Sequence, residues 1–226
     1  MKTFAIALAV TGLAAGAAQA QSFAFDGAEL AFQSFDSDDD YSGQYLRGSA
    51  EVSFGRFGAQ LDLTQFAYDG ETEYTSYGLH LNYGVTDQIT VGVFYEDDDW
   101  NGDVYGSSGF EAAYDSGQIS GQLAAGRYEQ RDGAYEFDFT QIDIGYELQP
   151  GLSVLGEITK TSGSADLGIV GIGARYETQS GLFAEAMVAQ YSEDYDHKVI
   201  SFEVGYAFGG GTTFDQRDWG GIVGLY

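Results

Sequence analysis

The chain has 226 residues, with 35 acidic against 9 basic side chains, a net charge of −26 and no cysteine. That acidic excess argues against nucleic acid as a partner and against electrostatic attachment to anionic membrane surfaces, and it suits cations. Without cysteines there is no disulfide framework, so the fold must rest on hydrogen bonding and burial alone.

The first segment, MKTFAIALAVTGLAAGAAQA, has a basic residue at Lys2, an apolar run from Phe4 to Leu13 and the small-residue triplet Ala18-Gln19-Ala20. This is the pattern of a secretory signal cleaved before Gln21, with an apolar run too short to serve as a membrane anchor. The expected mature chain of 206 residues keeps 8 basic groups against 35 acidic ones, for a charge of −27. No later stretch has the roughly 20 consecutive apolar residues of a transmembrane helix.

From Ala28 onward the sequence alternates. TSYGLHLNYGV places Tyr77, Leu79, Leu81, Tyr83 and Val85 on one side, and ITVGVFY does the same with Ile89, Val91, Val93 and Tyr95. Period-2 alternation of this kind marks strands with two unlike faces, and helical periodicity is nowhere convincing. Short connections (FGRF, YGVTDQ, YDSGQ, ELQPG, ETQSG) alternate with acidic ones that read as longer (DSDDDYSGQ, YDGETEY, EDDDWNGD, EQRDGA, KTSGSAD, SEDYDH). The single proline, Pro150, lies in one of the short turns and interrupts no strand.

An aromatic residue closes each repeat: Phe54, Tyr83, Tyr114, Tyr146, Tyr176 and Tyr206, at spacings of 29, 31, 32, 30 and 30. Each interval holds two strands and one acidic connection. Six such units predict an all-β fold, a twelve-stranded antiparallel up-and-down transmembrane β-barrel over residues 21–208. A soluble sandwich also alternates. Aromatics at both strand ends and an almost uncharged apolar face favour lipid instead. Because a bilayer offers no water to unpaired backbone groups, the sheet must then close.

The final strand, KVISFEVGYAF (Lys198 to Phe208), ends in the alternating aromatics of VGYAF. Together with the alternation and the belts, this resembles the small porin-type outer-membrane β-barrels of Gram-negative bacteria, the alphaproteobacteria among them, over essentially the whole of Ala28 to Phe208. The resemblance implies a multi-pass outer-membrane protein, exported with a cleaved signal. It also implies recognition of the last strand by the outer-membrane assembly machinery.

Parity then assigns the lumen. Tyr206 faces lipid, so Glu203, three residues earlier, faces inward. The same offset gives Glu51, His80, Glu111, Asp143 and Gly173, roughly 7–8 Å above the aromatic belt at about 3.3 Å per tilted residue. Asp62, Glu157 and Glu185, with Glu29, join that face from the returning strands. Arg47 and Arg175 point the same way, and Arg175 lies within reach of Glu185 across a short turn. A ring of carboxylates in a low-dielectric tube attracts cations. The expectation is a passive diffusion channel for small cations or small solutes, with pore-lining Glu51, Asp62, His80, Glu111, Asp143, Glu157, Arg175, Glu185 and Glu203. The alternative is a plugged structural or surface-binding barrel whose acids merely solvate a polar interior. Acidic oligosaccharides, which some family members are expected to pass over lumenal basic tracks, do not suit so few basic residues.

The segment DDDWNGD begins like a calcium loop, with Asp97, Asp99, Asn101 and Asp103 as candidate ligands for weakly bound calcium or magnesium. Ser108, however, stands where a bidentate glutamate is needed. No other cofactor is indicated. Barrels of this size include lipases and deacylases, but the two histidines, His80 and His197, have no serine that strand register places beside them, so an enzyme is not expected. After Phe208 the tail GGGTTFDQRDWGGIVGLY (residues 209–226) is too short for another hairpin. It either folds back into the mouth or lumen or stays disordered, unless Tyr226 is the true strand end.

Overall fold

The computed structural model describes residues 23–38, 42–68, 72–100, 103–131, 133, 135–193 and 196–217. The leader reading and the last nine residues of the tail lie outside these. Twelve strands follow in chain order: β1 (Phe23–Ser37), β2 (Ser42–Phe54), β3 (Phe57–Tyr68), β4 (Thr72–Gly84), β5 (Ile89–Trp100), β6 (Asp103–Asp115), β7 (Ile119–Gln130), β8 (Glu136–Gln149), β9 (Leu152–Gly163), β10 (Leu167–Glu177), β11 (Leu182–Glu193) and β12 (Lys198–Phe208). Each pairs antiparallel with its chain neighbours, and β1 pairs with β12, from Ala28 opposite Phe208 to Ser37 opposite Val199. The barrel is closed, and no edge is left to pair with another chain.

Alternation explains why these segments close as they do. Leu61, Leu79, Leu81, Val91, Val93, Phe110, Ile144, Val170, Ile172, Ile200 and Phe202 are all exposed on the outer face. So are the six repeat-closing aromatics, Phe54, Tyr83, Tyr114, Tyr146, Tyr176 and Tyr206, which form one girdle at the end where β1 begins and β12 ends. This is here the near end. Such a surface is stable against hydrocarbon and not against water. No helix among the described residues is long and apolar enough to cross a membrane, which is no constraint on a barrel that crosses with strands.

One reading of the sequence is corrected. The acidic connections at the far end are not long loops: β5 runs on to Trp100 and β6 resumes at Asp103. Trp100 pairs with Asp103, and Asp97 with Gly106. Polarity marks where these strands leave the apolar belt, not where the ladder stops: the pairing of β5 with β6 continues past the belt to Trp100 and Asp103. Connections at the two ends are therefore of similar length.

The lumen has two halves. Inward positions in the near half are polar, with Glu51, Gln60, Asp62, His80, Asn82 and Glu111 all buried. In the far half the same inward parity carries aromatics. Phe94, Tyr128, Phe137 and Phe139 form one buried cluster, with Tyr105 and Tyr135 against it. Tyr45, Phe66 and Tyr74 form a second with Phe35 and Trp100, in which Tyr74 stacks on Trp100 at 4.6 Å. Aromatic pairs at such offsets bury area and fix one another's orientation.

Candidate functional site: a divided acidic lumen

Parity places every predicted pore-lining residue inside the barrel, but the structure divides them between two walls. The division is made by the chain itself. After β12, Gly209, Gly210 and Gly211 take φ values of 67°, 107° and 82°. This left-handed region is open to glycine and costly for side chains. The three residues turn the chain back through the near end into the lumen. Gly27 of β1 makes room: a Cβ there would lie 1.8 Å from the Gly211 carbonyl oxygen.

The returning segment lies against the wall formed by β2 to β7. The Thr213 amide donates to Glu51 Oε2 at 2.6 Å, and its hydroxyl donates to Glu51 Oε1 at 3.0 Å. Gln60 accepts from the Phe214 amide at 3.1 Å and donates back to the Phe214 carbonyl at 2.7 Å. The Asp215 amide donates to Gln122 Oε1 at 3.0 Å. The Gln216 side chain donates to Ser49 at 3.1 Å and accepts from Thr64. Phe214 is buried beside His80 in a near-parallel, offset arrangement, with ring centroids 6.0 Å apart and planes 13° apart. Arg217 donates to Gln122 at 2.9 Å, with Glu111 at 3.5 Å and Asp143 at 3.9 Å from its guanidinium. Both Arg217 and Glu111 side chains are wholly buried.

His80 is held within this wall. Its Nε2 lies 2.7 Å from Asp62 and its Nδ1 2.7 Å from Glu111. Both ring nitrogens are thus taken up by carboxyl groups of the wall. His197 lies beyond the far end of β11, stacked on Tyr191 at 4.6 Å.

The opposite wall, built by β8 to β12 with β1, is uncovered. It lines a cavity of about 1500 Å³ that reaches from the near-end turns up to Phe35, Tyr45, Ile169 and Tyr191. Glu29, Asp143, Glu157, Glu185 and Glu203 face it. Two arginines interleave with them. Arg47 bonds Glu203 at 3.1 Å with its guanidinium over the Tyr45 ring. Arg175 contacts Glu177 at 3.2 Å, Glu29 at 3.5 Å and Glu185 at 3.9 Å, and sits over Phe183. These contacts are a quarter exposed on the arginine side, and the space beside them admits water.

Asp97 and Asp99 lie in β5 on its outward face, and Asp97 accepts from Tyr95 at 2.7 Å and pairs with Arg131 at 3.4 Å. Asp103 begins β6, and Asn101 lies outside the described residues. Among the described residues no three ligand side chains converge as a metal site requires. Sequence reasoning missed Gln60, Gln122 and Arg217 as functional positions. It also missed Glu96 and Asp98, which are buried inward on β5. Parity alone would have found Gln60, two residues before Asp62, and the far-half aromatics. Nothing in the repeat points to Arg217.

No family model and no curated protein matches the sequence. The fold does match solved structures. The KdgM porin in complex with disordered oligogalacturonate is similar at 12% identity and a TM-score of 0.63, over 79% of this chain and 98% of that one. A NanC porin structure is similar at 7% identity and a TM-score of 0.64, over 78% and 98%. The outer membrane phospholipase A from Escherichia coli is similar at 10% identity and 0.56, over 79% and 89%. The chain thus has the closed twelve-stranded antiparallel fold of the small porin-type barrels.

Proposed function

We propose that this protein is a bacterial outer-membrane channel for passive diffusion of small solutes, with a preference for cations. The observation that carries the reading is the open cavity along β8–β12, where carboxylates outnumber the three arginines that border it, Arg47, Arg175 and Arg217. In a low-dielectric tube that imbalance concentrates cations and repels anions, and it falls with ionic strength as the charges are screened. In this reading the near end is periplasmic, the leader at residues 1–20 is removed on export, and VGYAF is the sequence that the assembly machinery reads. The oligogalacturonate solved with the KdgM porin is a polyanion, and the cavity here has the wrong sign for such a solute. Calcium or magnesium held weakly by Asp97, Asp99, Asn101 and Asp103 remains a secondary proposal.

Reversal potentials in a planar bilayer under a salt gradient test the reading. Cation preference that weakens at high salt is the expected result. Anion preference would overturn it. A second reading, a closed barrel with a structural or surface-binding role, draws on the aromatic filling of the far half of the lumen. Bilayers that stay silent with correctly folded protein would favour it.

A further inference from the structure

The segment Gly209–Arg217 is held differently from the rest of the chain. It makes no strand ladder. Three successive backbone amides, those of Thr213, Phe214 and Asp215, are met by the side chains of Glu51, Gln60 and Gln122. The Phe214 carbonyl is met by Gln60. Side chains that read the backbone of a segment outside any ladder, with a pocket for an aromatic ring and another for a guanidinium, are the anatomy of a peptide-binding site. The ring pocket is shaped for its guest: a Cβ on Gly92 would press on Phe214 at 3.1 Å. The guanidinium pocket is formed by Glu111, Gln122 and Asp143.

The segment is also positioned to leave. Every residue from Gly209 to Arg217 borders the open cavity. Undocking therefore carries it into water and hydrates the acids it uncovers, rather than opening a void in packed protein. The barrel's own ladder does not depend on it, since β12 is already paired on both sides. A tether of three glycines adds no side chain to the turn.

We infer that the wall of β2 to β7 is a binding site for a peptide with an aromatic residue three positions before a basic one. The chain's own Gly209–Arg217 is its resident ligand, and release of that segment widens the channel. The widening rests on the channel reading above; the peptide site does not.

A variant lacking Gly209–Tyr226 tests both halves, using a labelled Gly-Thr-Thr-Phe-Asp-Gln-Arg peptide and a scrambled control. Binding in detergent, read by fluorescence anisotropy, should be about tenfold or more tighter for the native order, because the scrambled chain loses the buried Arg–Glu pairing. Equal binding of the two peptides would overturn the site. Single-channel conductance of the variant should rise roughly twofold or more over the full chain, as a wider lumen passes more water, and the native peptide should return it to the full-chain level. Equal conductance with and without the tail would overturn the widening. If the variant does not fold, the full-length double variant Phe214→Ser with Arg217→Glu serves in its place, with the same outcomes expected. Should neither protein conduct while the native peptide binds selectively, the channel reading falls and the site stands.

Discussion

The two lumen walls are made from the same repeat, with the same parity and the same supply of carboxylates, yet they handle charge in opposite ways. On the covered wall, Glu51 and Glu111 are buried and hydrogen-bonded: each meets the returning segment, and Glu111 also meets His80. On the open wall, Glu29 and Glu185 share one arginine, Arg175, at 3.5 and 3.9 Å beside the open cavity. A buried charge is tolerable only when paired and hydrogen-bonded, whereas an exposed one is screened and gains little from a partner. Carboxylates on the covered wall therefore hold the chain in place, and those on the open wall set the field that a solute meets.

The sharpest way to break this contrast is at Arg217. Arg217→Met leaves Glu111 and Asp143 without their buried guanidinium, a loss of about 3–5 kcal/mol for a broken buried pair. Hydrogen exchange should show the Thr213 and Phe214 amides losing roughly two to three orders of magnitude of protection, while amides of the β8–β12 ladder are unchanged. Retained protection would show that the segment does not depend on the covered wall's charges. Gly27→Ala acts on the same segment from its hinge. The added Cβ meets the Gly211 carbonyl, and overpacking against backbone costs about 1–3 kcal/mol. Limited proteolysis should then cut between residues 209 and 217 faster than in the native chain. A native cleavage rate would mean that the return path has room to spare.

On the open wall the effects are electrical and smaller in free energy. The triple variant Glu157→Gln, Glu185→Gln and Glu203→Gln should move the bilayer reversal potential toward zero. Glu51→Gln with Glu111→Gln should loosen the segment and change selectivity mainly through that release. If the amides on the covered wall shift selectivity as much as those on the open wall while the segment stays protected, the division fails. The smallest effect is expected at Arg47→Gln. Its partner Glu203 keeps water beside it, so stability should change by less than about 1 kcal/mol. Cation preference should rise because one positive group leaves the cavity, and a fall would contradict the assignment.

Much of this was legible in the sequence, and the reason is geometric. A strand's side chains alternate without exception along a continuous ladder, so one outward tyrosine fixes the direction of every neighbour. From Tyr206 the inward orientation of Glu203 follows, and from Tyr114 that of Glu111. The closure of β1 on β12 followed from the need to pair every backbone group in lipid. The length of the far-end connections did not follow, because Asp97 and Asp99 are polar and still sit in strand. Nor did the division of the lumen. Glu51 and Glu203 are equivalent by repeat and parity, and only an aperiodic segment laid against one of them makes them differ. Such a segment has no period to read. Its path depends on three glycine torsions and on side chains spread from Ser49 to Asp143.

That spread has a consequence for the order of events in folding. Ser49, Gln60, His80, Glu111, Gln122 and Asp143 stand on six different strands and meet around one point only on a curved wall. Gly27, which admits the turn, lies beside the seam where the first strand meets the last. Residues 209–217 thus have no completed site to settle in until the cylinder closes. Their seating is the last step of assembly, and an unseated end is the mark of a barrel that has not yet closed.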